Sequence, residues 1–313
     1  MTVRYREFGD TGIEVSEVGV GCGGLGGDRK QGLEPAVERA LELGVNLFDT
    51  CDTYAESRSE QTLGRVFQNH RRDEFVICTK FGGVIENGEW HRDVSVPHLR
   101  KAFEASCRRL RVEFLDIYLV HTPPADLCRH DDLIAELDRM VGAGKIRAYG
   151  VSTETGAFAN EICDCSAAKA IEITFNLFYQ DPRRAFLDRA RADGIGIVCK
   201  APMANGVLTD SFVAESLPPD DKYLVRFGEE RWARRAELWK QVRTILAAKG
   251  RTMAQGALAW LLGFPQVSTV IPGISSLERI EETAAVSDMR LTDDELAALD
   301  AVADGSLVGA VVD

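Results

Sequence analysis

Short apolar runs alternate with longer segments of helical periodicity along most of the chain. This alternation is typical of parallel strands that are joined by crossover helices. We predict strands at residues 18–21, 46–49, 75–80, 116–121, 146–152, 170–175, 196–201 and 269–272. Segments 33–43 and 97–110 each place their apolar residues on one helical face, so we expect both helices to bury that face against a sheet.

The predicted elements favour a single α/β domain over residues 1–313. Eight strands with interleaved helices suit a closed (β/α)8 TIM barrel, and no GxGxxG sequence follows the first strand to favour a doubly wound sheet. Residues 4–15 predict an N-terminal β-hairpin, because Gly9 and Gly12 flank its turn. Residues 292–303 predict an extra C-terminal helix outside the barrel.

The charge and cysteine content narrow the possible partners. The chain has 37 Lys and Arg against 49 Asp and Glu, a net charge of −12, so nucleic acid and anionic lipid are disfavoured partners. The start of the sequence has no apolar signal region, and the most apolar stretch, 256–264, is too short to cross a bilayer. We therefore expect a cytoplasmic protein without a membrane partner. The eight cysteines include no CxxC pair, which disfavours a disulfide scaffold or a bound metal.

Three consecutive predicted strands end in an ionisable residue. These residues are Asp49, Lys80 and His121, spaced 31 and 41 positions apart, or about one strand and helix each. In a (β/α)8 barrel the carboxyl ends of the strands share one face, so the three side chains should converge, with Tyr54 within reach. Each residue alone has an ordinary structural explanation; the succession of all three favours a catalytic site.

These residue types suit proton transfer to a substrate oxygen. A phenol with a pKa of about 10 is a poor acid at neutral pH, and a nearby ammonium favours its ionisation. Lys80 supplies that charge beside Tyr54, and Asp49 holds Lys80 as an ion pair. We expect His121 to donate a hydrogen bond to the substrate oxygen. Tyr54 and His121 are therefore candidate substrate-binding residues as well.

The four residues resemble the catalytic tetrad of the aldo-keto reductase family, in the same order. The resemblance covers almost the whole chain, through segments 6–16, 144–152 and 270–273 and the pair Ser59-Glu60. It implies that NAD(P)H binds in an extended pose across the barrel mouth and reduces a small carbonyl compound, with Tyr54 protonating the oxygen. The reverse reaction would oxidise an alcohol or a sugar hemiacetal. The oligomeric state stays open.

The resemblance also implies a set of cofactor-binding residues. They are Gly21, Asp49, Ser152, Thr153, Asn176, Lys200, Pro202, Gly273, Ser275, Arg279 and Thr283. Ser275 and Arg279 match positions that hold the adenosine 2′-phosphate, which favours NADP over NAD. Ser275 and Glu278 also have the spacing of a helix capping box. Glu172 replaces the family's usual Gln, and Lys200 stands where many members have an aromatic residue.

Several alternatives remain open from the sequence. Trp90, after the third strand, is either a wall of the substrate pocket or an aromatic packed under a loop. Residues 203–231 form a connection longer than is usual and are either a lid or a solvated excursion. The chain as a whole is alternatively a non-catalytic, cofactor-sensing subunit, or an aldolase or isomerase that uses Lys80.

Overall fold

The computed structural model describes residues 3–28, 31–86, 88–212 and 229–302, with the backbone alone for 229–236. Its strands are β1 (Tyr5–Glu7), β2 (Glu14–Ser16), β3 (Val20–Gly21), β4 (Leu47–Asp49), β5 (Val76–Phe81), β6 (Gly83–Glu86), β7 (Glu89–Arg92), β8 (Leu115–His121), β9 (Ile146–Thr153), β10 (Ala170–Thr174), β11 (Gly196–Lys200) and β12 (Thr269–Val270). Eight of them, β3, β4, β5 and β8 to β12, pair in parallel and in sequence order. Parallel bridges from Val18 to Val270 and from Gly21 to Gly273 join the first strand to the last. The predicted (β/α)8 barrel is confirmed.

Helices follow the barrel strands as the sequence predicts. They are α1 (Glu34–Glu42), α2 (Arg58–Phe67), α3 (Val96–Leu110), α4 (Asp131–Gly142), α5 (Gly156–Cys165), α6 (Asp181–Ala185), α7 (Leu187–Ala192), α8 (Glu229–Leu246), α9 (Met253–Leu262), α10 (Leu277–Ala284) and α11 (Asp293–Val302). The last of these is the predicted C-terminal helix, which packs against α8. Among the described helices, none combines the length and apolar character that a membrane crossing requires.

Side chains alternate along each strand between two hydrophobic clusters. On β8, Ile117 and Leu119 lie inside the barrel, whereas Tyr118 and Val120 pack between the barrel and the helices. Other strands contribute Leu47, Val76, Cys78, Ala148, Ala170, Val198 and Ile271 to the inner cluster. This alternation determines which residue of each strand faces the barrel axis.

The predicted N-terminal hairpin closes one end of the barrel. Phe8 belongs to the inner cluster and packs so closely on Gly196, at the start of β11, that a Cβ there would overlap its ring. The guanidinium of Arg6 donates to the carbonyls of Leu262 (2.7 Å), Phe264 (3.0 Å) and Val267 (2.6 Å). The amino ends of the strands are thereby covered, which leaves the carboxyl ends open.

Two local features differ from the sequence-based expectations. The segment predicted as a loop after the third strand contains the antiparallel hairpin β6–β7, with Trp90 on β7. Cys128 and Cys165 form a disulfide, although the cysteine spacing disfavoured a disulfide scaffold. Of the long 203–231 connection, read from the sequence as either a lid or a solvated excursion, residues 213–228 lie outside the described part of the chain.

Candidate active site

Five strands of the barrel have an ionisable side chain on their inward face, at the last residue of the strand or within two residues of it. Asp49 follows Leu47 by two positions, Lys80 follows Cys78, His121 follows Leu119, Glu172 follows Ala170 and Lys200 follows Val198. Because strand side chains repeat with a period of two, each ionisable residue faces the same way as the buried apolar residue before it. The five side chains therefore converge at the open, carboxyl end of the barrel.

Lys80 lies at the centre of this group and is fully buried. Its Nζ forms an ion pair with Asp49, donates to the carbonyl of Thr50 at 2.9 Å, and lies 3.0 Å from Oε2 of Glu172. Burial lowers the pKa of Lys80, but the two carboxylates raise it more, so the group is an ammonium throughout the neutral range. The predicted partnership of Asp49 with Lys80 is present in the structure.

Glu172 is a second carboxylate partner of Lys80. The pair is an ion pair without well-aligned hydrogen-bond geometry, so Oε2 has no hydrogen-bond donor among the described residues. Its Oε1 accepts from Oγ of Ser152 at 2.9 Å, and that Oγ lies 3.1 Å from Nζ of Lys200. Lys200 in turn pairs with Glu154 at 2.8 Å. A continuous network of charges therefore runs from Asp49 to Glu154.

The pKa values of the two carboxylates beside Lys80 are shifted in opposite directions. Burial and the Glu172 charge raise the pKa of Asp49. Burial also raises the pKa of Glu172, but Lys80 and Lys200 outweigh it and lower that pKa to about 2. The two pKa values differ because Glu172 faces two ammonium groups, whereas Asp49 faces one.

Tyr54 lies over this network, with the Nζ of Lys80 5.2 Å from its ring centroid. Lys80 lowers the pKa of the phenol, as the sequence predicts. Burial and the carboxylates of Asp49 and Glu172 oppose it, and together they raise the pKa above its ordinary value. The expected effect of Lys80 is therefore present, but the opposing effects outweigh it, because several negative groups that the sequence did not place near the ring lie beside it.

His121 packs edge-on against Tyr54, with ring centroids 5.8 Å apart. Its Nδ1 lies 3.2 Å from Sγ of Cys51. Burial, together with the charge of Lys80, lowers the pKa of His121 to about 4. The imidazole is therefore neutral at physiological pH, and with Nδ1 engaged, Nε2 is the ring nitrogen left for another partner.

A cavity of about 390 Å³ opens directly above the charged network. Its walls include Gly21, Asp49, Tyr54, Glu172, Lys200, Pro202 and Gly273, six of which the sequence analysis proposed as site residues. Ile271, Met203 and Asn205 complete much of the wall and were not predicted. The described start of the 203–231 connection thus lines this cavity.

A second cavity, of about 330 Å³, shares Met203, Asn205, Gly206 and Gly273 with the first. Ser275 and Arg279 line this second cavity. Gly273 leaves the shared wall bare, since a Cβ there would meet nothing within 4 Å. Together the two cavities extend from Tyr54 to Arg279.

The capping prediction at this end of the site is wrong by one residue. Helix α10 starts at Leu277, and its N-cap is Ser276, whose side chain accepts from the backbone N–H of Arg279 at 3.2 Å. Ser275 lies one position before this N-cap and does not cap the helix. Arg279 itself forms an ion pair with Glu282, one turn along the helix.

Three other predicted cofactor residues use their polar groups within the protein. Oγ1 of Thr153 accepts from the N–H of Thr155 at 3.4 Å. Asn176 donates to the carbonyl of Ala201 at 3.0 Å and accepts from Phe178 at 3.0 Å. Thr283 donates to the carbonyl of Arg279 at 2.9 Å. None of the three is among the residues that line the two cavities.

Trp90 is set apart from the charged network. It lies on the β6–β7 hairpin, is 49% exposed, and has the guanidinium of Arg92 5.6 Å from its ring. It does not line either of the two cavities described above. Its side chain is thus neither packed under the loop nor part of the described cavity wall.

The fold and the site define a (β/α)8-barrel protein whose open mouth holds a buried group of charges. A model of the Aldo/keto reductase family matches residues 17–304. The uncharacterized oxidoreductase YqkF of Bacillus subtilis (strain 168) is 31% identical over 303 residues, which cover 95% of both chains. The chain therefore belongs to the aldo/keto reductase family, and it is an oxidoreductase.

Solved structures agree with this assignment. The holo form of aldo-keto reductase AKR11C1 from Bacillus halodurans superposes with a TM-score of 0.82 at 26% identity, covering 96% of both chains. The glycerol dehydrogenase AKR11B4 from Gluconobacter oxydans superposes with a TM-score of 0.78 at 23% identity, covering 99% of this chain and 97% of that one. Family membership implies a nicotinamide cofactor and a small carbonyl substrate.

Proposed function

We propose that this protein reduces an aldehyde or ketone with NADPH, and oxidises the corresponding alcohol or sugar hemiacetal in reverse, with Tyr54 as the general acid and base. The observation that carries the proposal is that Tyr54 and Asp49 line one cavity, with Lys80 paired to Asp49 beneath it, and that this cavity adjoins a second one lined by Arg279. A phenol beside an ammonium suits proton exchange with a carbonyl oxygen. Lys80 itself is held as an ammonium among three oxygens, which disfavours its use as a nucleophile in covalent catalysis.

The two cavities fit an extended dinucleotide by their chemistry. The first offers a buried acceptor, Oε2 of Glu172, which has no hydrogen-bond donor among the described residues. The wall that both cavities share is bare at Gly273, where backbone can approach a ligand closely. The second ends at Ser275 and Arg279, a hydroxyl and a guanidinium that suit a phosphate. Gly21, Lys200 and Pro202 would border the nicotinamide end.

When bound, the cofactor supplies or accepts the hydride. In reduction Tyr54 releases its phenolic proton to the substrate oxygen as the carbonyl carbon gains the hydride, so a C–H and an O–H bond form together. Lys80 favours the resulting phenolate, and Asp49 keeps Lys80 in place. His121, neutral at physiological pH, would hydrogen bond to the same oxygen through Nε2. In oxidation the Tyr54 phenolate takes the proton from the alcohol oxygen as the carbon gives up its hydride to the cofactor.

Arg279 supports NADP over NAD as the cofactor. A guanidinium binds a phosphate through charge-assisted hydrogen bonds, and NADP has an additional phosphate on its adenosine ribose. The ion pair with Glu282 opposes this preference, because the carboxylate occupies part of the guanidinium and repels an incoming anion.

The test is a fluorescence titration with NADPH and NADH, followed by a screen of aldehydes, ketones and free sugars for cofactor-dependent absorbance change. We expect NADPH binding and multiple turnovers, and we expect Tyr54→Phe to lower kcat by about 10²–10⁴-fold while cofactor still binds. Cofactor binding without turnover of any compound would instead favour the non-catalytic, cofactor-sensing alternative. Failure of both cofactors to bind would contradict the proposal outright.

A further inference from the structure

Glu172 places a second buried carboxylate in the cavity of Tyr54. Its side chain is 2% exposed, and it lines the cavity together with Tyr54 and Lys200. One oxygen is 3.0 Å from Nζ of Lys80 and the other accepts from Ser152 at 2.9 Å. The carboxylate is therefore fixed in position, ionised and shielded from solvent.

Glu172 brings a negative charge into a network that already contains a buried ion pair between Asp49 and Lys80. Asp49, Glu172 and Glu154 are the acidic members of the network, and Lys80 and Lys200 are its basic members. Tyr54 and His121 are neutral at pH 7, because the pKa of the phenol is raised and that of the imidazole is lowered. Cys78, which also approaches Asp49 and Glu172, is a neutral thiol with a raised pKa. Glu172 thus gives the cavity an excess negative charge that a neutral residue at this position would not supply.

This excess is relevant to the two redox states of a nicotinamide. The oxidised ring is cationic and the reduced ring is neutral. The substrate oxygen accepts a hydrogen bond from Tyr54. A nicotinamide that exchanges a hydride with the carbon of that group must therefore occupy the same cavity. A buried charge acts there through a low effective dielectric, so it distinguishes strongly between a cation and a neutral ring.

We propose that Glu172 is the residue that sets the redox-state preference of this site, by strengthening the binding of the oxidised cofactor relative to the reduced one. The inference rests on the proposed function. Its consequence is that the equilibrium of the bound cofactor is shifted toward the oxidised form, which favours hydride transfer from the reduced cofactor to the carbonyl within the complex.

The experiment compares the dissociation constants of NADP⁺ and NADPH, measured by calorimetry on the full chain, without substrate or turnover. For Glu172→Gln, which keeps shape and removes the charge, we expect the ratio of the Kd of NADP⁺ to the Kd of NADPH to rise about tenfold. Glu154→Gln is the matched control. Its side chain is 43% exposed and does not line the cavity, so solvent screening should limit its effect to about twofold or less.

A second variant, for which the opposite change in the ratio is expected, makes the test independent of whether Glu172→Gln folds. Lys200→Met removes a cation from the same cavity, and the ratio should then fall. An unchanged ratio in both variants, or equal shifts in Glu172→Gln and Glu154→Gln, would overturn the inference while leaving the proposed function intact. If the wild-type protein binds neither form of NADP nor of NAD, the proposed function fails and this inference fails with it.

Discussion

The thiol of Cys51 lies 3.2 Å from Nδ1 of His121. Cys51 is completely buried, and burial raises its pKa, so the group stays a neutral thiol. The contact occupies one ring nitrogen and fixes the orientation of the imidazole, with Nε2 as the nitrogen available to a substrate. Cys51 is therefore a positioning residue for His121.

Replacing Cys51 by Ala should lower kcat for carbonyl reduction about fivefold, which corresponds to the net value of one hydrogen bond, ~1 kcal/mol. Cofactor affinity should not change. Cys51→Ser restores a hydrogen-bonding group of similar size and should recover most of the rate. Steady-state kinetics and fluorescence titration check both values, and an equal loss in the Ala and Ser variants would contradict the positioning role.

The raised pKa of Tyr54 predicts opposite pH profiles for the two reaction directions. Below that pKa the phenol holds its proton, so reduction should be nearly constant from pH 6 to 8. Oxidation requires the phenolate, whose population grows about tenfold per pH unit below the pKa, so its rate should keep rising through pH 9. Because the pKa of His121 is lowered to about 4, protonation of the imidazole should not affect either profile above pH 5.

Single-turnover rates in both directions over pH 5 to 10 check these profiles. Because a loss of folded protein would lower both rates by the same factor, the comparison of the two directions controls for general effects of pH on folding. An oxidation rate that levels off near neutrality would show that the phenol ionises there, contrary to the balance of charges described for Tyr54.

The ion pair of Arg279 with Glu282 predicts opposite effects of their removal on cofactor choice. Arg279→Ala should weaken NADPH binding about ten- to hundredfold and leave NADH binding nearly unchanged, because a charge-assisted contact to phosphate is lost. Glu282→Gln frees the guanidinium and removes a repelling charge, so NADPH should bind about three- to tenfold more tightly. Fluorescence titration measures both, and an equal loss of both cofactors in Arg279→Ala would refute the phosphate assignment.

Asp52, next to Cys51, predicts a loss of stability as pH rises. The carboxyl is 9% exposed, and burial raises its pKa to about 7. The folded state therefore retains a proton that the unfolded chain releases near pH 4, and stability declines between pH 4 and 7. Asp52→Asn should raise the free energy of unfolding by up to ~4 kcal/mol at pH 8, from about three pKa units at ~1.4 kcal/mol each, and by much less at pH 4.5.

Urea denaturation at the two pH values measures this difference. Asp73→Asn serves as the control, because that carboxyl is exposed and its pKa is lowered by its hydrogen bond with Arg71 rather than raised. A gain for Asp52→Asn that is the same at both pH values would show that the carboxylate is not destabilising when ionised.

The sequence predicted the barrel and its charged mouth because both depend on local patterns. Asp49, Lys80 and His121 each end an apolar run, so their common location followed from the strand order alone. The role of Glu172 was not predicted, because contact between β5 and β10 requires a closed barrel with a defined radius. Cys51 was missed for the same reason: its contact with His121 joins segments 70 positions apart.

Two other structural features that were not predicted do have local signals in the sequence. The dipeptide Asn-Gly at 87–88 lies between two alternating runs and indicates a hairpin, the one that contains Trp90. Glu282 is three positions after Arg279 on a predicted helix, a spacing at which opposite charges pair. The shift of the cap from Ser275 to Ser276 had no such signal, since either serine suits an N-cap.

The hydrogen bonds of Arg6 join the beginning of the chain to carbonyls more than 250 positions later. During synthesis these acceptors leave the ribosome more than 250 residues after Arg6. The amino end of the barrel therefore cannot be closed, and its apolar residues cannot be covered, until helix α9 and the residues after it have been made. Such distant pairing makes folding slow and concerted, and it makes a chain cut short before its last repeat a natural substrate for chaperones.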